Sequence, residues 1–579
     1  MNCIYIGYEQ PVVRFFDIEY LLLNVKNYDD IKNDVQHQFD NDYRLDELCK
    51  KWLTEFTSAD IIIIELDWFE RGDYLGARFA NHIRLTKWNE EKLRDLPIVL
   101  IRDQPIDIVD RDTLKDDLLI FAGQGALFST YNDLVTDLFR KWPVVEESVI
   151  LDDLIRQHKQ NYIFKKYIDA LKFSEQYEDS HSITNQWGAL RLAHNIGYSS
   201  DDIKYNWPPK LYFKYLQAKY DFKPYTLPTQ ITAKVLLIDD NADKGWEKVL
   251  KKLFNFNDDN PTLDVQGRPI FRTINEKVKN YESLHSDSRK IIEDQDFDLY
   301  LIDLRLNGPD EDITTEAKSL SGGTVLDKIK TQNAGNQVIM FTASNKAWNM
   351  RVLLSGKNAA DGYYIKESTL NASDKDFGKN NTKEFIEQIE ACLKHTFLKM
   401  IWLSHSVIEK HFESNISESE EPIFTQIQNQ LKIAFELLNQ KKSDNLNYAM
   451  ISYFRIFEIL VEYFINPSIP SDKKLIYKTK EDVKFCNFDK DKRKYNLQSH
   501  DGVEKHIYFS TSNKVMALVC QKLGFNPLID KKLLDDIKKL AIKRNGFVHP
   551  KNRNSYVNPT KEQLVKWSIV LKEILLKLS

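Results

Sequence analysis

Four short apolar runs lie between residues 234 and 366, and each is followed at once by a polar or charged residue. The runs are rich in β-branched and aromatic residues and do not alternate with polar positions. Such runs are typical of parallel strands that are buried on both faces. We therefore predict a doubly wound α/β sheet built from the strands Val235–Ile238, Leu299–Ile302, Val338–Phe341 and Tyr363–Ile365.

The residues after these runs are Asp239 and Asp240, Asp303, Thr342 and Lys366. The carboxyl ends of parallel strands meet at one edge of a sheet, so these side chains should converge. Three carboxylates repel one another unless a cation intervenes, and Mg²⁺ prefers carboxylate, water and phosphate oxygens. Asp303 is the expected nucleophile, forming an aspartyl-phosphate, while Mg²⁺ and Lys366 balance charge and Thr342 hydrogen-bonds the phosphoryl oxygens.

With these residues in this order, residues 232 to 398 resemble a response-regulator receiver domain of two-component signalling. The string SGGTVLDKIK is similar to the start of the helix after that family's phosphoacceptor loop. The resemblance implies Mg²⁺ bound by Asp239, Asp240 and Asp303, and an aromatic rotamer switch at Tyr363. It also implies a histidine kinase or phosphotransfer protein as a partner.

Three features depart from the receiver pattern. Asp240 and Asp303 are 63 positions apart (303 − 240), with a polar insertion around FNFNDDNPTLDVQGRP, and GPDEDITTEAKSL lengthens the loop after Asp303. Lys366 is followed by Glu367 where receivers usually have proline, which can alter the lifetime of the phosphoryl group. The alternative is an ordinary flavodoxin-like sheet with acidic caps.

The first 140 residues repeat the α/β rhythm in NCIYIG, ADIIIIELDW, LPIVLIRD and DLLIFAGQGALFS, and look like a degenerate receiver. Glu65 falls on the position of the phosphoacceptor, Gly7 and Tyr8 replace the acidic pair, and Arg102 replaces the threonine. We expect no phosphorylation here and a docking or dimerisation role. Glu65 is either a mimic of a charged acceptor or a simple carboxylate.

The segment between the two α/β regions is predicted to be a helical connector. In DSHSITNQWGALRLAHN we expect Trp187, Leu190 and Leu192 to lie in a core. His181 in the same string leaves open a second interpretation, in which it is phosphorylated and relays the phosphoryl group to Asp303.

Near the carboxyl terminus, KRNGFVHP contains Arg544, Asn545 and His549 at the end of a predicted helix. Asn545 and His549 are one turn apart, so the three side chains can face one cleft. A histidine can move the proton of an RNA 2′-hydroxyl, and an arginine can grip the phosphate. Residues 531 to 579 contain twelve Lys or Arg and four Asp or Glu, a net charge of +8 that suits a polyanion.

This segment resembles the HEPN (higher eukaryotes and prokaryotes nucleotide-binding) domain, a helical family rich in ribonucleases of defence systems. The earlier helix NYAMISYFRIFEILVEYFI, with Arg455 and Glu458, has the length expected of the partner helix. The resemblance implies a homodimer with a composite site that cleaves single-stranded RNA without a metal. In the alternative, His549 is a structural cap and the domain binds a nucleotide, RNA or a protein without cutting.

Two further segments bear on regulation. NNTKEFIEQIEACLKHTFLKMIWLSHSVIEKHF is predicted to be one long helix that leads from the receiver-like region into the effector, with NISESEEP as a flexible joint. Phosphorylation would then change how two chains associate. YKTKEDVKFCNFDKDKRKYNLQSHDGVEKHIYF is either a substrate-binding hairpin or a disordered loop.

Composition adds a frame for these predictions. The chain has 579 residues, of which 42% are hydrophobic and 29% charged, enough for several globular domains. Five scattered cysteines suit a reducing cytosol, and neither a signal peptide nor a membrane span is evident, so we expect a cytoplasmic protein that does not engage a membrane. We found no convincing helix-turn-helix, which disfavours a DNA-binding regulator.

The predicted fold class is therefore α/β plus all-α, with two flavodoxin-like, receiver-type doubly wound domains, of which the first is degenerate. The predicted function is a response-regulator-type protein in which phosphorylation controls a HEPN-like endoribonuclease, and the resemblance implies a role in stress or antiphage defence. The alternative is a non-catalytic signalling adaptor. The expected domains are 1–142 (degenerate receiver), 143–230 (connector), 231–398 (receiver) and 399–579 (HEPN-like).

Overall fold

The structure is a computed structural model, and it describes 2–8, 20–25, 38–69, 73–86, 96, 98–102, 126–130, 181–198, 210–220, 231–257, 259–307, 319–343, 353–355, 358–374, 376–415, 421–440, 442, 444–464, 475–478, 483–489, 494–498, 504–507, 514–515, 518–519, 523, 530–549 and 557–577. Three predicted segments lie largely outside these residues. They are residues 416–420 of the predicted joint, residues 308–318 of the loop after Asp303 and residues 143–180 of the predicted connector.

The N-terminal sheet unit comprises the elements up to residue 130. They are β1 (Cys3–Gly7), β2 (Tyr20–Asn24), α1 (Gln38–Lys51), α2 (Leu53–Ser58), β3 (Ile61–Glu65), α3 (Leu75–Thr86), β4 (Ile98–Arg102) and β5 (Ala126–Thr130). All neighbouring strands are parallel, in the order β2-β1-β3-β4-β5. Both faces of β1 and β4 are buried, as expected for the inner strands of a doubly wound sheet.

Two connector helices follow, α4 (His181–Asn195) and α5 (Lys210–Tyr220). Helix α5 packs against α1 and α3 of the N-terminal sheet unit. Trp187, Leu190 and Leu192 of α4 are buried, which confirms the predicted core face of this helix.

The second sheet unit extends from residue 231 to residue 393. Its elements are β6 (Val235–Ile238), α6 (Trp246–Leu253), β7 (Phe271–Ile274), α7 (Ser286–Asp294), β8 (Leu299–Ile302), α8 (Ser321–Gln332), β9 (Val338–Thr342), β10 (Gly362–Ile365) and α9 (Phe377–Leu393). The strands are again parallel, in the order β7-β6-β8-β9-β10. Counted within each unit, both sheets have the order 2-1-3-4-5 of a flavodoxin-like sheet.

Two strands, β2 and β7, were not predicted from the sequence. Each is an edge strand of its sheet. Leu21 of β2 is about half exposed, and Arg272 and Thr273 interrupt β7 with polar side chains.

The C-terminal helical region begins at Leu398. Its helices are α10 (Leu398–Asn415), α11 (Glu421–Asn439), α12 (Asn445–Phe464), α13 (Lys531–Val548) and α14 (Lys561–Leu575). Their buried faces form a core separate from that of the sheet units.

The predicted continuous helix from 380 to 412 is wrong, because a turn at residues 394–397 separates α9 from α10. Ring Nδ1 of His395 lies 2.6 Å from the carbonyl oxygen of Ala391, and the Thr396 hydroxyl donates to the carbonyl of Leu393. These side chains take up carbonyls that a continuing helix would use.

The prediction of an all-α C-terminal region is also incomplete. Four antiparallel strands lie between α12 and α13, in chain order: β11 (Leu475–Lys478), β12 (Val483–Asp489), β13 (Lys494–Gln498) and β14 (Glu504–Ile507). The segment predicted to be either a substrate-binding hairpin or a disordered loop therefore forms a meander of hairpins in its described residues. Its role in substrate binding stays a prediction.

Helix α10 is attached to the edge of the second sheet that lies opposite the predicted site. Lys399 donates to Asp296 at 2.7 Å, and Asn333 donates to the carbonyl of Lys399. Asp296 precedes β8 and Asn333 precedes β9, so this attachment is at the amino ends of the strands. Among the described residues, none of the helices is long and apolar enough to cross a membrane.

Candidate functional site

The carboxyl edge of the second sheet brings together the residues predicted for a phosphoacceptor site. Ile238 pairs with Ile302, so Asp239 and Asp303 follow adjacent strands at the same level. Thr342 ends β9 beside Ile365, and its carbonyl accepts from the backbone N–H of Lys366 at 2.6 Å.

The Lys366 ammonium lies at the centre of this cluster. Its Nζ donates to Oδ2 of Asp303 at 2.6 Å and to Oδ2 of Asp239 at 2.9 Å. Asp239, Asp240 and Asp303 each place one carboxylate oxygen within 4.8 Å of the others. Lys366, Asp239 and Asp303 are buried, whereas Asp240 is half-buried.

Burial and mutual repulsion dominate the electrostatics of the carboxylates. Burial raises the pKa of Asp303 to about 7, because the attraction of Lys366 does not offset desolvation and Asp239 adds repulsion. Burial and Asp239 also raise the pKa of Asp240. Burial opposes the charge of Lys366, but the two carboxylates outweigh it and raise the pKa of the ammonium to about 12.

The donor set fits Mg²⁺. Three carboxylates and one ammonium leave two negative charges when all are ionised, and carboxylate oxygens are the ligands a hard divalent cation prefers. The half-buried carboxylate of Asp240 gives an ion contact with solvent, where water ligands are available. Asp239, Asp240 and Asp303 would hold the ion.

Thr342 and Tyr363 lie on the adjacent strands β9 and β10. Thr342 is fully buried at the end of β9. Tyr363 is partly buried against the core on one face of the sheet, and its backbone N–H donates to the side chain of Gln388 in α9 at 2.7 Å. A change at Tyr363 would therefore reach α9 directly.

The connector also contributes to this site, which was not predicted from the sequence. Asn185 of α4 accepts from Lys366 Nζ at 3.3 Å and from the indole N–H of Trp246 at 3.0 Å. Glu367, the residue that replaces the usual proline, is buried and pairs with Arg191 at 2.9 Å. The only sequence signal was a set of polar residues along an otherwise apolar helix.

The equivalent edge of the N-terminal sheet unit is built differently. Ile6 pairs with Ile64, so Gly7 and Glu65 occupy the levels of Asp239 and Asp303. Oε1 of Glu65 accepts from the hydroxyl of Tyr5 at 2.5 Å, and Oε2 accepts from the backbone N–H of Tyr8 at 2.8 Å.

Gly7 is required by this arrangement. A Cβ at position 7 would lie 2.5 Å from the carboxyl carbon of Glu65 and 2.9 Å from the Tyr5 ring. The glutamate thus occupies space next to the strand that an aspartate at position 7 would need. Arg102 is buried at the end of β4, at the level where the second sheet has Thr342.

In the C-terminal helical region, Arg544 lies on α13 and faces α12. Its Nη2 donates to Oε1 of Glu458 at 3.1 Å, and its guanidinium lies 5.2 Å from the ring centroid of Phe454. Arg455 also bonds Glu458 and reaches Glu462. The predicted partner helix and the motif helix are therefore in contact through the residues singled out in the sequence.

The other two motif residues lie on the surface. Asn545 is exposed and its side-chain oxygen accepts from Arg544 at 3.2 Å. His549 is exposed and follows the last residue of α13, and its backbone N–H donates to the carbonyl of Asn545. Within the described residues, no hydrogen bond or ion pair joins the His549 imidazole to Arg544.

Comparison with known proteins bears on the N-terminal sheet unit. No curated protein matches the chain. Residues 22–124 match the family described as Inactive Receiver domain (iREC). The prediction of a degenerate receiver is confirmed over these residues, and the match links the chain to regulation in signalling.

Proposed function

We propose that the second sheet unit accepts a phosphoryl group on Asp303, and that this modification controls the C-terminal helical region, which acts as a metal-independent endoribonuclease on single-stranded RNA. The observation that carries the first part is the buried contact of Lys366 with Asp239 and Asp303 at the carboxyl edge of a parallel sheet. A cap on an ordinary sheet does not need two carboxylates on a buried ammonium and a third carboxylate within 4.8 Å of them.

The roles of the residues follow from their positions. Asp303 attacks the phosphorus of the donor, and Lys366, already 2.6 Å from its carboxylate, balances charge on the phosphoryl oxygens. Thr342, on the adjacent strand, hydrogen-bonds the transferred group. Bound Mg²⁺ would supply Lewis-acid stabilisation of the phosphoryl oxygens and would lower the pKa of Asp303.

A path from the site to the effector runs along α9. A shift of Thr342 and Tyr363 towards a phosphoryl group alters the bond from Tyr363 to Gln388 of α9. Helix α9 leads through the turn at 394–397 into α10, the first helix of the C-terminal helical region. A small displacement at the phosphoacceptor edge is thereby carried to the effector at the opposite edge.

The ribonuclease part rests on the contact between α12 and α13. Arg544 is oriented by Glu458 and Phe454, and His549 is accessible to solvent at the end of the same helix. Each chain offers one arginine and one histidine, which is half of a composite site, so a second copy is needed to complete it. His549 would move the proton of the 2′-hydroxyl and Arg544 would bind the scissile phosphate.

One observation favours a second candidate function, a signalling adaptor whose helical region binds RNA, a nucleotide or a protein without cutting. The guanidinium of Arg544 is already paired with Glu458, and this pair has to open or be shared for Arg544 to bind a phosphate. In the adaptor, the pair is simply a structural link between α12 and α13.

The deciding experiment is cleavage of a labelled single-stranded RNA by the full-length protein. The reaction is run in EDTA, and in Mg²⁺ with acetyl phosphate, for wild type, His549→Ala and His411→Ala. His411 lies on α10 and is the control, because it is a partly exposed histidine of the same region that lies outside the motif. We expect cleavage in EDTA that needs His549 and not His411, and a rate that changes when Asp303 is phosphorylated.

Two results would separate the alternatives. RNA binding without cleavage in any condition would support the adaptor. Cleavage that is the same for wild type and His549→Ala would mean that the RNGFVH motif is not the active site.

A further inference from the structure

One face of connector helix α4 carries a line of four residues, three with hydrogen-bonding side chains and one glycine. Asn185, Gly188, Arg191 and Asn195 are spaced by three, three and four positions, which places them along one side of a helix. That side packs against α6 and α9 of the second sheet unit. The polar side chains in this line are all buried.

The first residue of the line contacts the phosphoacceptor cluster. A lysine ammonium has three N–H donors, and those of Lys366 are directed to Asp239, Asp303 and Asn185. Asn185 is the one acceptor of the three that is uncharged and that comes from outside the second sheet unit. It is only 1% exposed, so water does not compete for this contact.

The rest of the line fixes the position of Asn185. Arg191 pairs with Glu367, and the amide of Asn195 donates to the carbonyl of Gly378 at 3.0 Å. Gly188 allows the close approach, since a Cβ there would lie 2.8 Å from the carbonyl oxygen of Glu367 and 2.8 Å from the Trp246 ring. These contacts fix the register of helix α4, because a slide by one turn would break all of them.

We infer that Asn185 is a positioning residue for Lys366, so that the phosphoacceptor centre is complete only when connector helix α4 is docked. This inference rests on the proposed phosphorylation of Asp303. During transfer, an oxygen of Asp303 forms a bond to phosphorus, the bond from phosphorus to the leaving group breaks, and the leaving group keeps the electron pair. Lys366 stays protonated throughout and donates to a phosphoryl oxygen, while Asn185 holds its third N–H.

The contact of Asn185 with Lys366 should affect the rate of phosphoryl transfer more than the affinity for Mg²⁺. Asn185 orients the ammonium before transfer, which lowers the cost of organising the transition state. Its hydrogen bonds to described residues go to Lys366 and Trp246 and not to the carboxylates that would hold Mg²⁺. Its loss should therefore slow phosphorylation at saturating Mg²⁺ and leave the Mg²⁺ concentration for half-maximal rate unchanged.

The test measures phosphorylation of the full-length protein by acetyl phosphate, followed by intact mass over a range of Mg²⁺ concentrations. Asn185→Leu removes the acceptor and keeps the volume. Gln186→Leu is the matched control, because Gln186 is also a buried amide on α4 but donates to Ser182 of the same helix and not to a residue of the second sheet unit.

We expect Asn185→Leu to slow phosphorylation about tenfold at saturating Mg²⁺, with a half-maximal Mg²⁺ concentration within about twofold of wild type. Gln186→Leu should stay within about threefold of the wild-type rate. Equal rates for Asn185→Leu and wild type would overturn the inference and leave the proposed phosphorylation intact. A wild-type protein that is not modified on Asp303 would overturn both.

A second measurement needs no variant and covers the case in which Asn185→Leu does not fold. Hydrogen exchange of residues 181–195 is compared in wild type with Mg²⁺ alone and with Mg²⁺ and beryllium fluoride, a phosphoryl mimic. Since Lys366 links the mimic to Asn185, we expect slower exchange in this helix when the mimic is bound. Unchanged exchange there, with the mimic bound to Asp303, would contradict the inference.

Discussion

The two sheet units have the same strand order but use the same edge in opposite ways. In the N-terminal sheet unit, Glu65 is satisfied by the protein itself, through the Tyr5 hydroxyl and the backbone N–H of Tyr8. In the second sheet unit, Asp239 and Asp303 share one ammonium, and burial keeps the pKa of Asp303 high. An edge whose charge is already satisfied is inert, whereas an edge with unbalanced charge is suited to a cation and a phosphoryl group.

The largest expected difference between the two units is in phosphorylation. Asp303→Asn should lower modification by acetyl phosphate by roughly a hundredfold or more, because an amide is a poor nucleophile. Glu65→Gln, the matched change in the other unit, should leave the yield unchanged. Intact mass with peptide mapping measures both, and modification that persists in Asp303→Asn would mean that the acceptor lies elsewhere.

A second prediction concerns the stability of the unbalanced edge. Lys366→Met leaves Asp239 and Asp303 buried without their cation, which should lower the free energy of unfolding by about 3 kcal/mol at pH 8. Millimolar Mg²⁺ should recover part of this loss in the variant by binding the carboxylates. Urea unfolding with and without Mg²⁺ measures both effects. A variant as stable as wild type in EDTA would mean that Lys366 does not stabilise the two buried carboxylates.

The two units should also respond to pH with opposite signs. Burial, with a smaller effect of Lys214, lowers the pKa of His82 in α3 to about 4, so its contribution is complete above pH 6.5 and is lost as the pH falls towards 4. The pKa of Asp303 is raised to about 7, so its contribution is complete below about pH 4 and is lost as the pH rises through 7.

Each change should be worth about 3 kcal/mol, and a variant of one group isolates the contribution of the other. Without Mg²⁺, Asp303→Asn should lose the decline in the free energy of unfolding between pH 4 and 7 and keep the rise that His82 causes, as measured by urea unfolding at each pH. Identical pH profiles for Asp303→Asn and wild type would show that Asp303 ionises at its ordinary pKa.

The smallest expected effect tests why the N-terminal edge is inert. Gly7→Ala places a methyl group against the Glu65 carboxyl and should cost about 2 kcal/mol, since a hydrogen-bonded carboxylate must move. Gly267→Ala is the control, because a Cβ there meets no atom within 4 Å and only its positive φ opposes alanine, at about 1 kcal/mol. Thermal unfolding compares the two, and an equal loss would mean that Glu65 is not held as described.

The sequence predicted the inner strands and the residues at their ends well, because both follow from local pattern and from parallel topology. Asp239, Asp303, Thr342 and Lys366 lie where uninterrupted apolar runs end, and no long-range information was needed to find them. Strands β2 and β7 were missed, since Leu21 of β2 is half exposed and two polar residues, Arg272 and Thr273, interrupt the apolar run of β7. The separation of α9 from α10 depends on side-chain bonds of His395 and Thr396 to helix carbonyls, which a helical pattern does not reveal.

Asn185 could not be predicted for a different reason. It is 181 positions from Lys366, and its partner is determined by how α4 docks on the second sheet unit. A polar residue on an apolar helix indicates a buried contact but does not identify the partner. The ion pair of Arg191 with Glu367 could not be predicted for the same reason, because it too depends on how α4 docks. The absence of proline at position 367 had marked only that position as unusual.

The shared core of the sheet units has a consequence for cooperativity. One continuous apolar cluster joins the N-terminal sheet unit, both connector helices and one face of the second sheet unit, whereas the C-terminal helical region has its own. On heating, the first 393 residues should therefore melt in a single transition, separately from the helices that follow. The smallest autonomously folding piece that carries Asp303 is then the whole of that segment, and evolution can exchange the effector more easily than either sheet.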